Sequence, residues 1–417
     1  MSKRKMKDSG VEWLGDVPEE WRKMRVRSFL RNVSEKNHPE AEVLSLYREL
    51  GVVPKNSRDD NHNVTGEDTS QYKFVQRGDL VINKMKAWQG SLAVSDYEGI
   101  VSPAYYVCRF HGEKVSSRFV HYLLRNVRYA QEFERLSTGM RVGQWDLGID
   151  DFLRIPLFLP PLLEQRKIAA YLDGRCAKID EMILDAKKTI EEYKAWKNSE
   201  IFEMVTGLRS GLPMLSSGEV WMPQIPGAWR FVRGKTFLRL LKRPIRPDDE
   251  IVTCFRDGEV TLRKNRREDG FTVALKECGY QGVEPGDLVV HGMDGFAGSI
   301  GVCDSRGKAS PVLNVMDSDE NKFFIVYYLK ALSIKDVFMG LSTGIRVRSC
   351  DLRWNKLAEL RYLIPARREQ DEIVLKLDKK CAVIDRVISA KESLIADLES
   401  YKKSLIFECV TGKMEVA

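Results

Sequence analysis

The residues best suited to chemistry in this chain are cations that lie beside an aromatic side chain in short loops. Lys84, Lys86 and Trp88 lie between two predicted strands. Two ammonium groups and an indole on one loop suit contact with phosphates, supported by stacking or a cation–π interaction. This spacing predicts binding to a polyanion, and the alternative is an ordinary solvated cationic surface.

Arginines in two further loops have the right chemistry to read bases. Arg141 and Arg346 each follow a Ser-Thr-Gly sequence, where glycine lets the backbone turn and the guanidinium project. An arginine can donate two hydrogen bonds to one guanine, which makes such residues candidates for base contacts. The complete set of candidate DNA contacts is Lys55, Arg58, Lys84, Lys86, Trp88, Arg141, Arg263, Arg266, Arg267, His291, Arg346 and Arg348.

Sequence patterns typical of catalysis or cofactor binding are not found. The chain has no Asn/Asp-Pro-Pro-aromatic motif, no Gly-x-Gly-x-x-Gly and no Walker A sequence. The acids after Pro247 lack a lysine at the spacing of a metal nuclease, and no serine or cysteine stands in a nucleophile elbow. The eight cysteines are scattered without a Cys-x-x-Cys pair. We therefore expect no catalytic residues, no cofactor and no metal site.

The chain consists of two copies of one plan. Residues 9–21 match residues 217–229, with Trp13 aligned to Trp221 at an offset of 208 (221 − 13). The same offset aligns Gly78-Asp-Leu-Val with Gly286-Asp-Leu-Val. Later matches at an offset of 205 include Ser-Thr-Gly, Glu-Gln and Val-Thr-Gly sequences. So many ordered matches indicate a tandem duplication whose copies meet near residues 208 to 216.

Each copy begins with a mixed α/β part. Residues 80–82 and 91–94 are typical of short strands joined through Gly90. Segment 117–134 has apolar residues on one face and predicts an amphipathic helix, with segment 320–338 as its counterpart. The fold class expected is therefore α+β, with two mixed α/β domains in tandem.

Each copy ends in a long predicted helix. Apolar residues repeat at spacings of four and three, which is the seam of a coiled coil, although a core-facing surface helix is an alternative. We expect Gly207 and Gly412 to end these helices and Pro161 to lie in the first turn of the first helix. The matched seams favour pairing of the two helices with each other. The seam residues are Leu172, Cys176, Ile179, Ile183, Ala186, Ile190 and Tyr193 in the first helix and Leu377, Cys381, Ile384, Ile388, Lys391, Ile395 and Leu398 in the second.

Composition narrows the class of protein further. The 417 residues favour two or more domains, and a net charge of +7 is mild support for a polyanionic partner. The sequence has no apolar run long enough to span a bilayer, and its basic N-terminus is not followed by an apolar stretch. We therefore expect a cytoplasmic protein with no membrane partner.

The combination and order of these motifs resemble the specificity subunit of type I restriction–modification systems. The resemblance rests on two variable globular parts, each followed by Glu-Gln at the start of a long helix and Val-Thr-Gly near its end, and on the opening Glu12-Trp-Leu-Gly … Pro18-Glu-Glu-Trp21. It covers essentially the whole chain. One departure is residues 365–370, where Pro-Ala-Arg-Arg-Glu-Gln replaces the double-proline start of the first helix.

The resemblance implies a non-catalytic protein with two target recognition domains held apart by an antiparallel coiled coil. Each domain would read one half of a bipartite, asymmetric double-stranded DNA target. Two modification subunits would bind S-adenosylmethionine and methylate adenine, and restriction subunits would hydrolyse ATP, translocate and cut. The boundaries expected are 1–160 and 208–365 for the domains, and 161–207 and 366–412 for the helices. Two alternatives are a DNA-acting enzyme with an unrecognised active site and a coiled-coil scaffold that binds only proteins.

Overall fold

The structure is a computed structural model that describes residues 4–57, 68–139, 145–266, 278–340 and 352–416. The chain divides into two compact units. Unit 1 comprises residues 1–186 and 393–417, and unit 2 comprises residues 187–392. Each unit therefore contains one globular part together with half of each long helix.

Unit 1 is built around a four-stranded antiparallel sheet with helices packed against it. Its strands are β1 (Met6–Asp8), β2 (Asp16–Pro18), β3 (Arg22–Arg25), β4 (Leu30–Val33), β5 (Leu44–Tyr47), β6 (Gly51–Pro54), β7 (Lys73–Val75), β8 (Leu80–Asn83), β9 (Leu92–Val94), β10 (Gly99–Val101), β11 (Tyr105–Phe110), β12 (Ser137–Thr138), β13 (Asp146–Leu147) and β14 (Pro156–Leu159). Its helices are α1 (Ser117–Arg125), α2 (Val127–Leu136), α3 (Ile149–Arg154) and the first part of α4 (Leu162–Val205). The sheet order is β4-β11-β8-β9.

Unit 2 repeats this arrangement. Its strands are β15 (Met214–Glu219), β16 (Met222–Pro226), β17 (Arg230–Arg233), β18 (Leu238–Leu240), β19 (Val252–Cys254), β20 (Val260–Leu262), β21 (Gln281–Val283), β22 (Leu288–His291), β23 (Ile300–Val302), β24 (Gly307–Ala309), β25 (Leu313–Ser318) and β26 (Arg361–Ile364). Its helices are α5 (Lys322–Ile334), α6 (Val337–Gly340), α7 (Trp354–Glu359) and the first part of α8 (Arg367–Val410). The sheet order β18-β25-β22-β23 is equivalent to that of unit 1, which confirms the predicted tandem α+β fold.

The strand prediction around Gly90 is confirmed, but the single helix predicted over 117–134 is wrong. The helix breaks at Asn126, whose backbone is extended (φ −72°, ψ 157°). The Asn126 carboxamide accepts a hydrogen bond from the Arg128 N–H (2.9 Å) and donates one to the Leu123 carbonyl (2.8 Å). The Asn126 side chain therefore caps the start of α2 and also pairs with a carbonyl at the end of α1. The counterpart also forms two helices, with Asp336 between them in the left-handed region (φ +54°).

Both units contain an ion pair with the same buried aspartate, but the arginine that pairs with it comes from a different position in each unit. In unit 1, Arg109 on β11 pairs with buried Asp79 (3.0 Å) and with Glu35 (3.5 Å). In unit 2, Arg243 stands at the position of Glu35 and pairs with buried Asp287, the equivalent of Asp79. Because an unpaired buried carboxylate is very costly, the cation is retained even though in unit 2 it comes from the loop after β18.

The Glu-Gln motif fastens the start of each long helix to its unit. Gln165 and Gln370 are 1% and 0% exposed. Gln165 accepts the backbone N–H of Ser116, the N-cap of α1, and Gln370 accepts that of Asn321, the N-cap of α5, both at 2.8 Å. Each amide nitrogen donates to a prolyl carbonyl five residues earlier, at 2.9 and 3.0 Å. The two helices therefore begin equivalently despite their different sequences. Pro161 immediately precedes α4 and does not lie in its first turn.

The Val-Thr-Gly motifs end the long helices against the repeated Pro-x-x-Trp segment near the start of each unit. Gly412 has φ +72°, and a Cβ there would lie 2.2 Å from the ring of Pro18 and 3.0 Å from Trp21. Gly207 has φ +70°, and a Cβ there would lie 2.3 Å from the ring of Pro226 and 3.1 Å from Trp229. Both the left-handed backbone and the close packing require glycine, as the sequence predicts.

The two long helices pack antiparallel within each unit. In unit 1 the first part of the α4 seam shares a core with Leu405, Cys409 and Val410 of α8. In unit 2, Ile201 and Val205 of α4 share a core with the start of α8. The α4 seam is buried at Leu172, Cys176, Ile179, Ile183, Ala186 and Ile190 and half-buried at Tyr193, whereas the α8 seam is buried at Leu377, Cys381 and Ile384 and half-buried at Ile388, Lys391, Ile395 and Leu398.

Ion pairs between the two helices flank this apolar seam. Lys402 pairs with Asp180 in unit 1 (2.6 Å), and Lys197 pairs with Asp385 in unit 2 (2.7 Å). Exposed pairs of this kind stabilise little but favour one alignment of the helices. No helix in the described part of the chain is both long and apolar enough to cross a membrane.

Candidate nucleic-acid interface

Each unit has a cleft at the same place on its fold. The first cleft lies between the β5–β6 hairpin and the turn after β8, with a volume of about 460 Å³. The second cleft lies between the β19–β20 hairpin and the turn after β22, with a volume of about 720 Å³. Ser45 and Asn83 in the first cleft correspond to Thr253 and His291 in the second, at the offset of 208 found in the sequence.

The turn beside each cleft is fixed by a glycine. Gly90 (φ +80°) and Gly298 (φ +95°) each end a single 3-10 turn. A Cβ on Gly298 would lie 2.5 Å from the carbonyl oxygen of Arg256, so no larger residue fits without movement of the backbone. The residue at the start of the turn is thereby held at the cleft, and it is Lys86 in unit 1 and Asp294 in unit 2.

The first cleft is cationic and aromatic. Lys55, Lys86 and Trp88, three of the predicted contacts, all line it. The Trp88 indole N–H donates to the Met85 carbonyl (3.0 Å), and its ring packs edge-on against Trp145 at 5.6 Å. The side chain of Lys86 is exposed and forms no ion pair with a described residue. The cleft therefore offers a solvent-facing cation beside a fixed aromatic surface, which suits phosphate and base contact.

Lys84 is separated from this group. Its ammonium nitrogen lies 3.1 Å from a carboxylate oxygen of Asp146, and the residue does not line the first cleft. Both lysines lie in the turn after β8, as the sequence predicts, but only Lys86 lines the cleft. A role for Lys84 in DNA contact remains a prediction.

The second cleft is richer in arginine. Arg263, Arg266 and His291, all predicted contacts, line it together with Arg256. Arg263 donates through Nε to the Thr253 hydroxyl (3.2 Å). Arg266 lies over the ring of Phe255, 4.3 Å from its centre, and pairs with Asp257 (2.6 Å) and Glu259 (3.1 Å). These contacts restrict the guanidiniums before any ligand binds, which lowers the entropy lost on binding.

An acid, an imidazole and a guanidinium meet at one edge of the second cleft. His291 accepts backbone N–H bonds through Nδ1 from Met293 (3.2 Å) and Asp294 (2.9 Å). Its Nε2 therefore carries the hydrogen, and burial lowers the pKa of the imidazole, which favours the neutral form. Arg256 lies 3.3 Å from one Asp294 carboxylate oxygen. The edge thus presents both hydrogen-bond donors and a fixed acceptor.

The remaining predicted contacts lie outside the described residues. They are Arg58, Arg141, Arg267, Arg346 and Arg348. The sequence prediction had also overlooked several cleft residues, because it sought cations in basic runs. Arg256 could have been found from its alignment with Arg48 at the offset of 208, and Asp294 from its alignment with Lys86. Trp145 carries no comparable local signal, since it meets Trp88 only in the folded unit.

Titratable groups outside the clefts have structural explanations. His121 accepts the Val94 N–H through Nδ1 (3.2 Å), and burial holds its pKa well below the usual range. Burial raises the pKa of the Cys108 thiol to about 12 and that of the Cys254 thiol to about 12, so neither is a reactive thiolate. Among the described residues, no group of three or more His, Cys, Asp or Glu could hold a metal ion.

Two copies of one fold, each with a differently lined cationic cleft, define a tandem nucleic-acid-recognition protein. Residues 18–192 match the family described as type I restriction modification DNA specificity domain. The match covers 175 residues (192 − 17) of the 417, and unit 2 repeats the fold and framework residues of this matched part. Comparison with curated proteins finds no match.

Solved structures show the same fold at low sequence identity. A chain from a structure on complex assembly and conformational transition of the type I R-M system aligns with a TM-score of 0.69 at 16% identity, over 95% of this chain and 99% of that one. The HsdS subunit from Thermoanaerobacter tengcongensis aligns with a TM-score of 0.53 at 16% identity, over 95% and 98% of the two chains. The likeness extends over both units and both long helices.

Proposed function

We propose that this chain is the DNA-reading subunit of a type I restriction–modification complex and does no chemistry itself. Each unit reads one half of a bipartite, asymmetric double-stranded DNA target through its cleft. The chain positions two modification subunits, which methylate adenine with S-adenosylmethionine, and ATP-dependent restriction subunits on that target. The complex acts in the cytoplasm.

The observation that carries this proposal is the contrast between the clefts. Their framework is shared, including the left-handed glycines Gly90 and Gly298 and the two sheets of equal order. Their side chains differ, since Lys86 is replaced by Asp294 and Asn83 by His291. A duplicated enzyme site would repeat its catalytic polar residues. Two reading heads need the same backbone and different side chains, because the backbone sets position and the side chains set sequence.

The charge of the clefts supports a division between positioning and reading. Exposed lysines such as Lys86 suit phosphate contacts, which are independent of sequence and strongly weakened by salt. Side chains held by packing, such as Trp88 and Arg266, suit contact with bases because they lose little freedom on binding. Two heads on one chain bind more tightly than either alone, since the second contact is intramolecular.

The test is to map methylated adenines in DNA from cells that contain this chain and its modification partner. We expect one bipartite, asymmetric motif. Exchanging residues 1–160 for those of a homologue should change one half of the motif and leave the other intact. Methylation without a sequence motif, or a change in both halves, would overturn the proposal.

Two assays of the isolated chain distinguish the two alternative functions. Methyl transfer or cleavage by the isolated chain would identify an enzyme. A protein-only scaffold would bind a heparin column without dependence on salt, whereas phosphate contacts make binding strongly dependent on salt.

A further inference from the structure

We infer that the second cleft recognises a G·C base pair through Arg256 and Asp294 acting as one unit, and that the first cleft does not use this contact. This inference rests on the proposed function and adds the chemistry of one base pair to it. It starts from two positions at the edge of the second cleft, Arg256 in the hairpin loop and Asp294 at the start of the turn. Among the described residues, these two equivalent positions hold opposite charges in unit 2 and not in unit 1.

The acid is held in place by the backbone around it. The Asp294 N–H donates to His291 Nδ1 at 2.9 Å, and the Asp294 carbonyl accepts the Ala297 N–H at 2.9 Å in the 3-10 turn. Gly298, which ends the turn, cannot be replaced without a clash with the Arg256 carbonyl. The backbone that carries the Asp294 carboxylate is therefore held in place at the cleft edge. It is 37% exposed, so a ligand can reach it.

The guanidinium of Arg256 is held by that acid and remains accessible. Its side chain is 71% exposed, and its NH2 lies 3.3 Å from the Asp294 carboxylate. This contact uses one edge of the guanidinium and leaves further N–H groups for a ligand, since arginine has five donors. The ion pair thus places guanidinium donors beside a carboxylate acceptor at the same cleft.

This arrangement matches one base pair better than the other. In the major groove guanine presents two acceptors, N7 and O6, while its partner cytosine presents an amino donor at N4. Arginine can bind both guanine acceptors, and the neighbouring carboxylate can accept from cytosine N4. An A·T pair offers a thymine methyl where cytosine offers no such group, and it gives arginine no pair of adjacent acceptors on the purine.

The carboxylate also argues against a role in phosphate binding. An exposed acid at a protein–DNA interface repels the backbone, so it is tolerated best where a base amino group can donate to it. In the first cleft the equivalent turn position is Lys86, which can donate but cannot accept. At this described turn position, the contact with cytosine N4 is therefore available in unit 2 and not in unit 1.

The test uses the full-length chain purified with its modification subunits and a library of DNA duplexes with randomised half-sites. The wild-type complex should select a bipartite motif. In the R256K variant, which keeps the charge but loses the paired donors, we expect discrimination for G·C at one position of one half-site to fall roughly tenfold. The D294N variant should relax the same base pair. The other half-site should be unchanged in both variants, which shows that they are folded.

The matched control is R48K at the equivalent position of unit 1, which should leave the half-site affected by R256K unchanged. If the wild-type complex selects no motif, the proposed function fails. If it selects a motif but R256K and D294N leave every position unchanged, or alter different positions or an A·T pair, the inference about the second cleft is wrong while the proposed function stands.

Discussion

Replacing Gln165 by methionine should loosen the start of α1 and leave unit 2 unaffected. Methionine nearly matches glutamine in volume, so the substitution leaves little cavity and removes only hydrogen bonds. Three groups lose their partner: the Ser116 N–H (2.8 Å), the Pro160 carbonyl (2.9 Å) and the Lys114 carbonyl (3.3 Å). The Q370M variant makes the equivalent change in unit 2.

The expected cost follows from the burial of these groups. A buried polar group without a partner costs about 1–3 kcal/mol, and of the three partner residues Pro160 is buried, Ser116 half-buried and Lys114 exposed. We therefore expect a loss of about 2–3 kcal/mol in the local free energy of opening. A change of 2 kcal/mol corresponds to about a 30-fold increase in amide exchange where exchange follows the opening equilibrium.

The assay is hydrogen exchange followed by mass spectrometry on peptides that cover 116–124 and 321–329. Q165M should accelerate exchange in the first peptide only, and Q370M in the second only. Q131M, at an exposed position on α2, should change neither. Unchanged exchange in both glutamine variants, or equal acceleration of both peptides by either one, would refute the role assigned to these amides.

Three further outcomes are expected. G207A should lower the free energy of unfolding by about 2–4 kcal/mol, because the position has φ +70° and its Cβ would lie 2.3 Å from Pro226. Asp249 in unit 2 forms an ion pair with Arg306 (2.9 Å), which lowers the pKa of the Asp249 carboxyl to about 2. This ion pair should stabilise the protein above about pH 4, and its contribution should disappear as the pH falls toward 2. The destabilisation by D249N, measured by urea unfolding, should therefore be smaller at pH 3 than at pH 7. K86Q should weaken binding to every DNA sequence and flatten the salt dependence by about one unit of slope.

Each of these outcomes has a control in the same chain. Gly211 has φ +71° and open space around it, so G211A should cost only about 1 kcal/mol, and an equal cost at both glycines would contradict the close-packing argument. A D249N effect that grows as the pH falls would show that the ion pair is not its cause. K178Q, at an exposed position on α4, should leave the salt slope unchanged, and a flattened slope there would remove the special role of Lys86.

The long-range plan of the fold could be predicted because it depends on repeated patterns. The heptad spacing of the α4 seam, the Val-Thr-Gly helix ends and the strands around Gly90 are local signals, and the duplication states each of them twice. The helix break at Asn126 could not be predicted from the apolar periodicity, because that periodicity continues through Asn126. Asparagine is a strong helix-capping residue, so its position between two helical turns was the signal that could have revealed the break.

The candidate site was less predictable because it is assembled from distant segments. Lys55 and Lys86 lie far apart in sequence and line one cleft, and Trp145 reaches Trp88 from a third segment. The role of Gln165 could not be inferred either, since its main partner is 49 residues earlier in the chain. Asp294 is an acid outside the basic loops, and its importance comes from the Arg256 guanidinium that lies beside it only in the folded unit.

The division of the chain into units also fixes the order in which they can be completed during synthesis. Unit 2 is one continuous segment, so all of its residues are synthesised before residue 393 is added. Unit 1 is discontinuous, and its core includes Leu405, Cys409 and Val410. The core of the N-terminal globular part therefore stays incomplete, with the apolar face of Leu172 to Ile183 uncovered, until residues 405–410 have been translated. A chain that stops early would keep a finished unit 2 and expose this face, which makes it a ready substrate for chaperones and proteases.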